Sequence, residues 1–226
     1  MPRRPTPAVI AVTALLAAAP ASAEETQATR APDIGPMHLA YTIYAGGLRA
    51  LALDLRVATD APRYRLQTQV RTAGFLADIV PFVLEAVTWG TLTPDGAHPE
   101  RYVTANRWRD KAIRRVTMRY GDAPMPAVTA EPSPEADERG VVPDGKRRAT
   151  VDPLTGIFDL LLARGAGCAG TAEIFDGRRR YDIRAATAGA KRVDPGSYGV
   201  YRGTATLCRL SVETIGGFWN RFDERK

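Results

Sequence analysis

The chain has 226 residues, 45% of them hydrophobic, with 31 Lys and Arg against 25 Asp and Glu for a net charge of +6. That is enough chain for one domain with a real core. The mild positive charge permits contact with anionic lipid or cell-wall polymer but does not argue for it, and no nucleic-acid partner is expected. Two cysteines and two histidines exclude a cysteine-rich metal module.

Arg3 and Arg4 precede an apolar run from Ala8 to Ala19, broken only by Thr13. Pro20 and the small-residue triplet Ala21-Ser22-Ala23 follow. This is the layout of a secretory signal peptide, so residues 1–23 are expected to be removed after Ala23. The run is about 12 residues, short of the ~20 needed to span a bilayer. No cysteine stands at the cleavage point for a lipid anchor. Pro5 and Thr6 depart from the twin-arginine pattern. The expectation is a periplasmic protein that does not span the membrane.

Residues 24–36 mix Pro, Thr, Ala and charges without period and read as a disordered lead-in. A single β-rich domain is expected over 37–220. Leu39, Tyr41 and Ile43 alternate, as do Leu51, Leu53, Leu55 and Val57, with Gly46-Gly47 as the hairpin turn between them. Tyr64, Leu66, Thr68 and Val70 alternate with Arg63, Arg65, Gln67, Gln69 and Arg71. One face of the sheet is therefore apolar and the other wet, as in an antiparallel sheet.

Residues 74–84 break the alternation, carry Pro81, and suit a short helix or turn laid against the sheet. Strands resume over Ala86–Thr93, Tyr102–Trp108 and Ile113–Tyr120. Pro94-Asp95-Gly96 and Arg109-Asp110-Lys111 are the turns between them. Residues 121–148 hold five prolines among many charges and read as a long loop with room for one short edge strand.

Asp152-Pro153 opens a helix, with Asp152 as cap and Pro153 at the first helical position. Leu154, Ile157, Phe158, Leu161 and Leu162 form its apolar stripe, and Gly165 and Gly167 end it. Strands follow over Thr171–Phe175, Arg179–Ala186 and Tyr198–Val212, with Asp176-Gly177 as a type I′ turn signal. Export allows the two cysteines, Cys168 and Cys208, to pair.

The fold class is mainly β: a strongly curved antiparallel sheet or half-open β-barrel with one or two short helices across it. The segments Val151–Leu161 and Ile174–Tyr181, with Cys168 before and Cys208 after the second, carry a recognisable pattern. On these residues the chain resembles the exported bacterial family labelled domain of unknown function 3108, over roughly 38–212. The resemblance implies a shape like that of periplasmic lipoprotein carriers. It implies no catalytic residues.

Gly165-Ala166-Gly167-Cys168-Ala169-Gly170 spells the dinucleotide fingerprint, but a helix precedes it and a strand follows, the reverse of what pyrophosphate binding needs. Gly140 to Lys146 lacks the Ser/Thr of a phosphate loop and contains Pro143. Two lone histidines, His38 and His98, make no zinc site. A glycan hydrolase would need two carboxylates about 5–10 Å apart in a cleft, and the sequence brings no such pair together. No cofactor is implied.

The leading expectation is a non-enzymatic domain that binds a lipid or other amphiphile in a curved-sheet groove. Its groove candidates are Leu51, Leu53, Leu55, Leu66, Val70, Phe75, Trp89, Ile157 and Leu161. The alternative is an envelope interaction module. It would bind a protein or anionic cell-wall polymer through a basic face formed by Arg107, Arg109, Arg114, Arg115 and Arg119.

Overall fold

Strand alternation and glycine turns build the first sheet directly. The computed structural model describes residues 35–134, 140–162, 168–194 and 202–218. The expected signal peptide, most of the lead-in, Gly165, Gly167 and Tyr198 lie outside these residues. Strand β1 (Met37–Ala45) turns at Gly46-Gly47 into β2 (Leu48–Asp60), and β3 (Arg63–Thr72) follows. Both glycines have positive φ, which side-chain-bearing residues rarely adopt. A four-residue helix α1 (Leu76–Ile79) precedes β4 (Phe82–Thr93), β5 (Gly96–Trp108), β6 (Arg114–Arg119) and β7 (Ala127–Glu131).

These seven strands form one sheet in the order β1-β2-β3-β4-β5-β6-β7, every neighbour antiparallel. Among the described residues β1 and β7 each pair on one side only, so this is an open curved sheet and not a closed barrel. Strand β7 is the edge strand expected within 121–148. Two strands of this sheet begin earlier than their patterns indicated. Strand β4 starts at Phe82, directly after Pro81, and β5 starts at Gly96, where pairing with Thr93 carries the ladder through.

Register assigns the faces, because side chains alternate along a strand. Val57, Leu66, Thr88, Tyr102, Met118 and Val128 stand opposite one another across six strands. The first five of these are buried, so this row marks the inner face.

Helix α2 (Pro153–Leu162) and a three-stranded sheet of β8 (Ala169–Phe175), β9 (Arg180–Val193) and β10 (Gly203–Gly216), in the order β10-β9-β8, supply its cover. Phe158 of α2 packs with Val57, Tyr64, Leu66, Leu92 and Ala97. Phe175 of β8 and Val142 pack with Ala86, Tyr102, Val116 and Met118. Gly156 lets α2 approach β8 closely, since a Cβ there would sit 3.1–3.2 Å from Ile174 and Ala172.

Asp176-Gly177 is not the two-residue type I′ turn that the dipeptide suggested. Phe175 pairs with Arg180, which leaves a four-residue loop over 176–179. The Asp176 carboxylate accepts the N–H groups of Arg178 and Arg179 at 2.9 and 2.7 Å, and its own N–H donates to the Arg179 carbonyl at 3.1 Å. This carboxylate capping favours the wider loop. Strand β9 also runs on to Val193, past the expected end at Ala186.

Candidate functional site

The groove candidates divide by register and burial. Leu53 and Val70 are cross-strand partners, and Val70 in turn faces Leu84. Leu51 and Leu55 flank Leu53 on the same face, and all five are half-buried. On β1, Tyr41 opposite Leu53 and Ile43 opposite Leu51 are 51% and 39% exposed. These residues form an apolar strip on the inner face, beside the part that α2 covers.

Five candidates behave differently. Leu66 is 1% exposed and belongs to the packed core under Phe158. Phe75, just before α1, is 66% exposed. Ile157 and Leu161 of α2 are 39% and 67% exposed, while Phe158 and Leu154 between them meet the sheet. Trp89 is on the opposite face: it pairs with Arg65 and Arg101, one residue out of phase with buried Thr88. The sequence pattern of β4 placed an aromatic in the core by its apolarity, but strand parity decides the face.

The basic candidates do not make one patch. Arg107, Arg115 and Arg119 lie on the outer face, opposite Val83, Ala105 and Arg101 respectively. Arg115 is 3.7 Å from the Glu131 carboxylate. Arg114 pairs with Asn106 and so takes the inner face. Arg109 is in the β5–β6 turn with φ +52°.

A different basic row crosses the outer face. Arg65, Trp89, Arg101 and Arg119 stand in line on β3 to β6. Both Arg65 and Arg101 place their guanidinium carbons 5.6 Å from the Trp89 ring centroid. Cation–π attraction holds such pairs together. The Arg101–Arg119 cross-strand pair puts like charges directly opposite, which is unfavourable without a counter-charge. Single-strand periodicity cannot reveal a row assembled from four strands.

The buried polar centre lies under α2. Asp152 is fully buried; its Oδ1 accepts the N–H groups of Leu154 and Thr155, each at 3.0 Å. Its Oδ2 accepts the Thr155 hydroxyl at 2.6 Å and lies 3.0 Å from the Thr88 hydroxyl. Tyr64 Oη is 2.9 Å from Thr155 Oγ1. Burial pushes the Asp152 carboxyl above its ordinary range, and the hydrogen bonds from Thr155, Thr88 and Leu154 pull it back. Asp152 is the helix cap that the Asp-Pro start indicated. Every oxygen of this carboxylate is engaged in holding α2 to the sheet.

Cys168 and Cys208 form a disulfide with their Cα atoms 5.5 Å apart, joining the start of β8 to β10. Such a bond suits an oxidising, extracellular-type compartment. Among the described residues no helix is long and apolar enough to cross a membrane. Two open depressions, of about 360 and 400 Å³, involve Ala40, Thr42, Ala52 and Arg71, and Arg56, Gln67, Gln69 and Glu85. By parity these side chains belong to the outer face, while Tyr41 and Leu53 of the strip also border the first depression and Thr68 and Ala86 the second.

No curated protein and no solved structure matches the chain. The model of one family matches residues 40–225, which hold all but the first three residues of the open β-sheet together with the Asp152-capped helix and the disulfide-linked β8–β10 unit, and the chain belongs to that family, described as Protein of unknown function (DUF3108).

Proposed function

We propose that the protein works in the periplasm, after cleavage following Ala23, as a non-enzymatic domain that holds a lipid or other amphiphile against its inner sheet face. One observation carries this reading: the inner face is only partly covered. Where α2 and Phe175 pack, the sheet is a closed core. Beside it, Leu51, Leu53, Leu55, Val70 and Leu84 continue the same apolar surface only half-buried, with Tyr41 and Ile43 exposed at its margin. A contiguous apolar surface left open to water marks a binding site for an apolar partner. The site is an open strip, so an acyl chain would lie along the sheet with its head group in solvent. Covering each remaining aliphatic side chain contributes on the order of 1 kcal/mol. The test is uptake of a fluorescent acyl-chain probe. The parent protein should bind it, and Leu53→Asp with Val70→Asp should lose it while the circular dichroism spectrum stays β-rich.

A second reading has its own observation, the outer-face row of Arg65, Trp89, Arg101 and Arg119. Here the protein is an envelope module that binds an anionic polymer. Arg101→Gln with Arg119→Gln should then abolish polymer binding and leave acyl-probe uptake intact.

A further inference from the structure

The two ends of the large sheet differ in what they show to solvent. One end is built by three connections: the β1–β2 hairpin, the α1 segment between β3 and β4, and the β5–β6 turn. Six large apolar side chains there are exposed: Tyr44 (48%), Leu48 (59%), Phe75 (66%), Ile79 (45%), Trp108 (47%) and Ile113 (39%). At the opposite end, where the β2–β3 and β4–β5 turns carry Asp60 and Asp95, Met37 is the one exposed large apolar residue among the described residues of the large sheet.

The three connections are joined. The Ala73 N–H donates to the Ala50 carbonyl at 2.9 Å, and the Gly74 backbone packs on Arg49. The Arg109 N–H donates to the Pro81 carbonyl at 2.7 Å, and the Phe82 and Trp108 rings lie 5.5 Å apart. Cations are interleaved with the apolar tips: Arg49, Arg71, Arg107, Arg109 and Lys111 are exposed here, against the acids Asp78 and Asp110.

We infer that this end of the sheet docks onto an anionic phospholipid surface. The amphipathic ring of Trp108 suits the headgroup level of a bilayer, where one side is apolar and the other wet, and Phe75 supplies a purely apolar tip. Each arginine or lysine near an anionic leaflet adds attraction that salt screens. A protein partner would instead favour one apolar centre with a polar rim. Here single apolar tips on three separate loops alternate with cations, the arrangement that suits a two-dimensional field of phosphates over hydrocarbon. The strip residues Leu51, Val70 and Leu84 lie in the half of the sheet nearest this end, so docking would bring the strip close to lipid. The inference stands on the tips and their charges and does not need the amphiphile reading.

The test is flotation of the protein, purified from a host that exports it, with vesicles of phosphatidylglycerol and phosphatidylcholine in equal parts. Parent protein should float at low salt, and much less with phosphatidylcholine alone. Phe75→Ser with Trp108→Ser, and separately Arg107→Gln with Arg109→Gln, should each weaken vesicle binding by about tenfold or more. All variants share one N-terminus, so the comparison isolates the tip. Brominated lipid should also quench tryptophan emission in the parent more than in Trp108→Phe, a readout that needs no disruptive change. Strip variants at Leu53 and Val70 should still float, which separates failure of this inference from failure of the amphiphile reading. Four results would overturn it: no flotation of the parent, equal flotation of the tip variants, loss confined to Arg101→Gln with Arg119→Gln, or tip-dependent crosslinking to a protein with no vesicle binding.

Discussion

The Thr88 hydroxyl on β4 lies 3.0 Å from Oδ2 of Asp152, the residue that caps α2. This contact, 64 residues apart in sequence, ties the helix cap to the floor of the sheet. The same carboxylate receives the Thr155 hydroxyl, which is in turn bonded to Tyr64. Replacing Asp152 by Ala orphans the Leu154 and Thr155 N–H groups and takes one acceptor from the buried Thr155 and Thr88 hydroxyls. The expected cost is about 3 kcal/mol, read as a lower midpoint in urea. Asp152→Asn should cost less, because its amide oxygen can still accept the N–H groups. Equal stability of Asp152→Ala and parent would contradict the clamp.

Alkaline stability follows from the buried phenols. Burial raises the pKa of Tyr64, Tyr102, Tyr120 and Tyr181 above the ordinary 10.0. The folded chain thus keeps protons that the unfolded chain releases above that pH. The stability they contribute is full below pH 10.0 and is lost as pH rises beyond it. In a spectrophotometric titration these four phenols should ionise together with unfolding. Normal titration of all tyrosines in a still-folded protein would show that they are not buried as described.

The disulfide closes a loop with a sequence separation of 40 residues. In the chain-entropy account it stabilises the fold by about 4 kcal/mol. Cys168→Ser with Cys208→Ser should lower the thermal midpoint and make the β8–β10 unit the first to exchange its amide hydrogens.

Arg180 is 5% exposed, and its guanidinium group meets Asp182, Glu173 at 2.6 Å, and the carbonyl of Lys146 at 3.0 Å. Arg180→Met removes the cation and strands its partners, at an expected cost of about 3 kcal/mol. Arg180→Lys should recover only part of that, since one ammonium cannot reproduce the planar fork.

Much of this architecture is legible in single segments. The Gly46-Gly47 turn, the alternation of Tyr64 to Val70, the Asp152-Pro153 helix start and the Cys168–Cys208 pair are local or compositional signals, and each stands where it was expected. What was not legible depends on register between strands. Trp89 looks like core by composition, yet its one-residue offset from Thr88 puts it outside, between two arginines. The basic run from Arg107 to Arg119 looks like one patch, yet Arg114 and Arg115 point to opposite faces. Leu66 joined the groove candidates through alternation alone, and it was the packing of Phe158, 92 positions later in the chain, that closed its part of the face. The end-to-end asymmetry of the sheet also escaped, because its six apolar tips come from three connections that meet only in the fold.

The measurement that tests the central claim most directly is native mass spectrometry, with lipid extraction, on the protein purified from its own envelope. The account predicts a co-purifying amphiphile in stoichiometric amount, absent when Leu53 and Val70 are both replaced by Asp. A parent protein that arrives without ligand and takes up no added lipid would contradict it.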